Sequence, residues 1–164
     1  MIRLVPMRSE DYRRSMERLI QEYAEDHIRT GRWTREEGPT EARKEVERLL
    51  PQGLRTPGHY LLSIVTSPGE ERVGELWLAA ALSEGPRRGF IYDLLIYAPF
   101  RRKGYAREGM LALEEFAREK GMTSLGLHVF AHNSGARALY ELLGYRTTDL
   151  VMVKDLPHPS SPPK

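Results

Sequence analysis

The residues best placed to do chemistry are Arg101-Arg102-Lys103-Gly104-Tyr105-Ala106, directly after the apolar run Phe90 to Ile96. The order reads as strand, basic glycine-containing loop, helix start. A helix N-terminus leaves backbone N–H groups without partners and carries partial positive charge. A phosphate placed there meets several donors at once. Gly104 lets the backbone approach closely, Ala106 is nearly as small, and Arg101, Arg102 and Lys103 add full charges. The pattern points to a phosphate-bearing ligand. Taken alone, the three cations also fit a solvated turn.

Other chemistries are excluded or weakly supported. The chain has no cysteine, which removes disulfides, thiolate catalysis and cysteine-based metal sites. It has no Gly-x-x-x-x-Gly-Lys-Ser/Thr, and no Gly-x-Gly-x-x-Gly follows a strand. His128 and His132 stand four apart, but on strand and loop and without Glu or Cys partners at ligand spacing, so no metal site is expected. The 25 basic and 23 acidic residues interleave to a net charge of +2. A broad nucleic-acid surface would need a basic stripe instead. No run is long enough to span a membrane and Met1 to Pro6 has no apolar signal core, so a cytoplasmic protein is expected.

The 164 residues, 40% hydrophobic and 29% charged, suit one globular domain. Ile2 to Pro6 reads as a strand. Ser9 to Arg29 reads as a helix, with Tyr12, Met16, Leu19, Ile20 and Tyr23 at helical spacing. Thr40 is the expected N-cap of a second helix ending at Leu50. His59 to Thr66, Arg72 to Leu82 and Phe90 to Tyr97 read as an antiparallel meander, with turns at Ser67 to Glu70 and Gly85 to Gly89. An amphipathic helix, Tyr105 to Lys120, buries Met110, Leu113, Phe116 and Ala117. Then come a strand over Ser124 to Phe130, a helix over Ser134 to Leu143, and a last strand within Tyr145 to Lys154. The order is β-α-α-β-β-β-α-β-α-β, an α/β fold with a mixed sheet flanked by helices. The domain is expected to span 1–156, with a disordered Pro/Ser-rich tail over 157–164.

On these residues the chain resembles the GCN5-related N-acetyltransferases (GNAT superfamily). Their acetyl-CoA signature is Gln or Arg, two residues, Gly, one residue, then Gly or Ala, and Arg101 to Ala106 fits it. Leu127 to Asn133, then Ala136, Ala138 to Glu141 and Leu143-Gly144-Tyr145, resemble the family's second signature. The close resemblance covers Phe90 to Lys154. Upstream it rests on element order.

The resemblance implies acetyl-CoA as co-substrate, its pyrophosphate held by the loop amides of Arg102 to Ala106. It implies that β-edge residues Leu95, Ile96 and Tyr97 pair with the pantetheine arm, with the Ile96 N–H polarising the thioester carbonyl. Tyr140 would donate a proton to the leaving thiolate, or be a packed core tyrosine. Asn133 would hold the pantetheine arm, cap the following helix, or both. The general base stays open among His128, Asp93 and Glu75, or a water chain. His128 is expected mid-strand beside the acyl site, Asp93 among apolar neighbours that raise its pKa, and Glu75 next to Trp77. Trp33, Tyr23, His27 and Gln52 to Thr56 come from the region that usually walls the acceptor pocket.

The implied activity is direct acetyl transfer to a primary amine in a ternary complex, without an acyl-enzyme. The alternatives are a non-catalytic acyl-CoA sensor of the same fold and an acyltransferase using another acyl-CoA. Neither nucleic acid nor membrane is an expected partner, and an exposed C-terminal edge strand would admit a homodimer. The acceptor is not readable from the sequence.

Overall fold

Strand alternation divides the chemistry of this protein between two faces of one sheet. In the computed structural model, which describes residues 1–81, 85 and 87–159, five strands lie in the order β1-β2-β3-β4-β5. They are β1 (Ile2–Pro6), β2 (His59–Thr66), β3 (Arg72–Ala80), β4 (Arg87–Ile96) and β5 (Met122–Leu127). The pairs β1/β2, β2/β3 and β3/β4 are antiparallel, and β4/β5 is parallel. The helices are α1 (Ser9–Arg29), α2 (Gly38–Leu49), α3 (Tyr105–Glu119) and α4 (Ser134–Leu142). The mixed sheet and flanking helices are those expected. Leu82 and Pro86, at the expected strand end and turn, and tail residues 160–164 lie outside the described residues.

On one face, Ile64, Leu76 and Leu78 are fully buried together with Met110 and Leu113 of α3. Each such side chain contributes about 1.5–3 kcal/mol through removal from water. Gly109 allows the close approach of α3, since a Cβ there would stand 3.2 Å from Ile64. On the other face, Leu61 and Trp77 join Leu19, Ile20 and Ala24 of α1 and Ala42 and Val46 of α2 in a second core. That face also carries Glu75 and Asp93.

Several boundaries differ from the sequence reading. Thr40 lies inside α2 rather than capping it. The helix starts two residues earlier, at Gly38, with Glu37 at the N-cap position and no side-chain cap bond. The turn before it is closed by a reciprocal pair, in which the Thr34 hydroxyl accepts from the Glu37 N–H at 3.2 Å and the Glu37 carboxylate accepts from the Thr34 N–H at 3.1 Å. β5 begins at Met122 and ends at Leu127, so His128 is not mid-strand but follows the strand. The strand expected within Tyr145 to Lys154 is absent, and Leu150, Val151, Met152 and Val153 are exposed without regular structure. The described residues divide into two compact units, one up to Phe130 and one from Ala131.

Candidate active site

The basic loop has the backbone geometry that an anion site needs. A short 3-10 turn, Ala98–Phe100, leads from β4 into it. Arg102 has φ +62° and Gly104 φ +86°, both left-handed. Gly104 is the N-cap residue of α3, and no side chain caps the helix. The first helical bond runs from the Glu108 N–H to the Gly104 carbonyl at 3.0 Å. The N–H groups of Tyr105, Ala106 and Arg107 therefore precede the helical ladder. A Cβ on Gly104 would meet nothing within 4 Å, so the loop is open on that side. Arg101 Nε donates to the Ile96 carbonyl at 2.9 Å, tying the loop to the end of β4. Lys103 Nζ lies 5.8 Å from the centre of the Phe100 ring.

The sheet opens beside this loop. β5 pairs with β4 only from Arg87 to Ile91. From Tyr92 to Ile96, β4 keeps its partner β3 on one side and has no strand partner on the other among the described residues. The change coincides with a β-bulge: Trp77 lies opposite Asp93 and Leu78 opposite Ile91, which leaves Tyr92 as the extra residue. The Tyr97 N–H donates to Val73 of β3 at 2.9 Å. Alternation then turns the Ile96 N–H away from β3, toward the open side, while Leu95 faces β3. Rings cluster at the bulge, with Tyr92 stacked on Trp77 at 4.6 Å and edge-on to Phe90 at 4.8 Å. Trp77 Nε1 donates to His59 Nδ1 at 3.0 Å.

Next to the bulge lies a charge cluster that sequence reasoning found only in part. Glu75 is 3% exposed and accepts from Ser15 Oγ at 2.7 Å, Arg18 Nη2 at 2.7 Å, Arg72 Nη2 at 2.8 Å and Tyr97 Oη at 2.8 Å. Arg18 Nη2 also donates to Asp93, and its Nη1 to Glu22 at 2.6 Å. Arg72 Nη1 pairs with buried Asp11 at 2.8 Å. Burial pushes the Glu75 carboxyl up, but its hydrogen bonds from Ser15, Arg18 and Tyr97 together hold it below the usual carboxylate range. Asp93 behaves oppositely. Burial raises it to about 6 despite the opposing pull of Arg18, and the charges of Glu75 and Glu22 push the same way as burial. Tyr97 is raised by burial and by its bond to Glu75. Thus two carboxylates on one sheet face are driven apart in acidity.

Arg18 and Ser15 were missed. Each sits on a helix and meets partners 57 or more residues away in sequence. The available signal was Asp11, Ser15, Arg18 and Glu22, a polar stripe at helical spacing alongside the apolar one. A groove of about 480 Å³ opens along α1 between Arg18, Gln21, Glu22, Glu25 and Asp26.

His128 lies one residue beyond the last paired rung of β5, its ring 4.9 Å from Phe130. Phe130 is also 5.2 Å from His27, which packs against Trp33 at 4.7 Å and Tyr23 at 4.4 Å. These aromatic residues of the expected acceptor wall thus come together. From the segment Gln52 to Thr56, Leu54 packs against the same core as Tyr23 and Trp33, and Gly53 lies beside Tyr12. Within the second unit, Asn133 Oδ1 accepts from the Ala136 N–H at 3.2 Å and caps α4. Tyr140, on α4, lies 5.8 Å from the Tyr145 ring, and its carbonyl accepts from the Tyr145 N–H at 2.9 Å.

A mixed five-stranded sheet flanked by helices, with β4 parting from β5 beside the loop that opens α3, matches an acetyltransferase fold. Residues 16–145 match the model of the acetyltransferase (GNAT) family, and the chain belongs to that family. It is 41% identical over 155 residues to the uncharacterized N-acetyltransferase YycN of Bacillus subtilis (strain 168), covering 94% of this chain and 99% of that one. The crystal structure of YycN superposes with a TM-score of 0.91 at 40% identity, over 96% of this chain and all of the other. A second relative, the uncharacterized N-acetyltransferase YdgE of the same organism, is 39% identical over 137 residues, 84% of this chain and 87% of that one. Among the described residues no helix is long and apolar enough to cross a membrane.

Proposed function

We propose that this acetyltransferase moves the acetyl group of acetyl-CoA directly to a primary amine within a ternary complex. The observation that carries this reading is the coincidence of the open β4 edge, Tyr92 to Ile96, with the left-handed loop at Arg102 and Gly104. The loop N–H groups from Arg102 to Ala106 bind the pyrophosphate, and the unpaired backbone at Leu95, Ile96 and Tyr97 takes the pantetheine arm as an added strand. The Ile96 N–H, turned to the open side, stabilises the oxyanion of the tetrahedral intermediate. Arg101, held by the Ile96 carbonyl, fixes the loop against that edge.

The amine must lose a proton before or during attack. Asp93 is the base favoured by its surroundings. Its raised pKa of about 6 leaves it ionised at neutral pH yet more basic than an ordinary aspartate. Glu75, saturated by four donors, anchors the cluster instead. His128 stands as the second candidate because its ring closes on Phe130 beside the aromatic wall. Tyr140 gives its phenolic proton to the departing thiolate, and coenzyme A and the acetamide leave.

The test is calorimetric titration with acetyl-CoA of the wild type and Gly104→Glu, followed by thiol release across a panel of amines. The wild type should bind, and a folded Gly104→Glu should not, because its carboxylate occupies the phosphate position. A well-folded wild type that fails to bind acetyl-CoA would overturn the proposal.

A further inference from the structure

The cluster around Asp93 contains a residue whose geometry exceeds what packing requires. Arg18 reaches from α1 across the sheet face and presents one nitrogen, Nη2, to two carboxylates at once, Glu75 and Asp93. Its other terminal nitrogen is clamped by Glu22 one helical turn on. Its Nε is buried with no hydrogen-bond partner among the described residues. Arg18 also lines the groove along α1, while its guanidinium bonds Asp93. A stability-driven core would do as well with apolar side chains here, since a buried ion cluster gains little over hydrophobic packing.

We propose that Arg18 is a positioning residue for acetyl transfer: clamped between Glu75 and Glu22, it fixes the Asp93 carboxylate at the β4 bulge and keeps it anionic for amine deprotonation. The inference rests on the reading of Asp93 as the base. Among the described residues, Arg18 and Glu22 from α1 and Glu75 from β3 act on the Asp93 carboxylate. Arg18 is the one cation among them. Both carboxylates would drive Asp93 toward its neutral form if Arg18 were removed. A lysine at this position keeps the charge but lacks the fork, so its ammonium cannot hold Glu22 and the two strand carboxylates in one fixed plane.

The experiment follows the Asp93 carboxyl carbon by NMR through an acid titration of the unliganded protein, in wild type, Arg18→Lys and Arg18→Met. The acid limb of kcat/KM is measured on the same proteins. In Arg18→Met the Asp93 midpoint should rise by about one to three units, and the acid limb should rise with it. Arg18→Lys should restore most of the midpoint while kcat stays about tenfold or more below wild type with KM little changed, because charge returns without geometry. An Asp93 midpoint unchanged in folded Arg18→Met overturns the inference whatever the activity does. If Arg18→Met does not fold, Arg18→Lys decides: wild-type kcat in that variant overturns the positioning role. A midpoint that moves while the acid limb stays fixed removes Asp93 as the base, and the positioning role falls with it. Acetyl-CoA binding is measured separately, so failure of the cofactor reading is distinguishable from all of these.

Discussion

Replacing Glu75 by Gln is the sharpest probe of the charge cluster. The two side chains have nearly the same shape, so packing against Ser15, Trp77 and Tyr97 is preserved. The hydrogen bonding is not. Ser15, Arg72 and Tyr97 all donate to Oε2, and Arg18 alone donates to Oε1. The Gln oxygen must take the Oε2 position to serve three donors, which sets its NH₂ group against Arg18 Nη2 where 2.7 Å now separates donor from acceptor. One charge-assisted bond is lost, about 1.5–3 kcal/mol, and two arginines lose a buried counter-charge. Breaking a buried pair from one side costs about 3–5 kcal/mol. We expect a loss near 3–4 kcal/mol, and Tm lower by roughly 6–16 °C for a chain of this size. Urea unfolding checks it, with an unchanged m-value showing that the native state stays compact. The variant also carries a signed consequence for Asp93. Removing the Glu75 charge relieves repulsion and leaves Arg18 to Asp93, so the Asp93 midpoint should fall below its present value of about 6. A stability loss under about 1 kcal/mol, or a midpoint that rises, would refute the account of the cluster.

For wild type, kcat/KM should decline as pH falls through about 6, where Asp93 takes up its proton, and Asp93→Asn should abolish that limb while lowering kcat by about 10²–10⁴; a limb that persists in Asp93→Asn transfers the base role to His128. Tyr140→Phe should lower turnover with acetyl-CoA affinity unchanged, read by single-turnover kinetics beside calorimetry, and unchanged turnover removes Tyr140 from the mechanism. Asn133→Ala should cost about 1 kcal/mol through loss of the cap on the Ala136 N–H, measured by chemical denaturation, whereas Asn133→Asp should cost little.

Elements governed by local patterns were legible in the sequence. α1 runs from Ser9 to Arg29 and β2 from His59 to Thr66, as apolar spacing and flanking breakers indicate. The loop before α3 was legible too, because Gly104 has a local reason to exist: its φ of +86°. What escaped depends on distant partners. Arg87 and Arg88 read as turn residues, yet they open β4, because β5 pairs with both on one side and the Ala81 N–H donates to the Arg88 carbonyl on the other. The start of α2 escaped because its first residues, Gly38 and Pro39, are helix breakers by type, although Pro is well tolerated in a first turn. The apolar alternation near Val151 suggested a strand, but periodicity alone supplies no partner, and none forms among the described residues. The site shows the same division. Asp93 and Glu75 stood out as acids inside apolar strands, while nothing local marks Arg18, whose partners on β3 and β4 are distant in sequence.

The division of the sheet into an apolar face under α3 and a charged face under α1 bears on how this protein can change. Neighbouring residues of one strand belong to different layers: Leu76 is sealed against α3, and Glu75 beside it holds Arg18. Heritable variation at adjacent codons therefore meets unrelated constraints. Substitutions under α3 are filtered by volume and should shift melting with no signature in the pH–rate profile. Substitutions one position along, at Glu75, are filtered by charge and should alter that profile as well as melting, because the same ion cluster serves both. A change in the pH–rate profile therefore tells which of the two layers a substitution has reached.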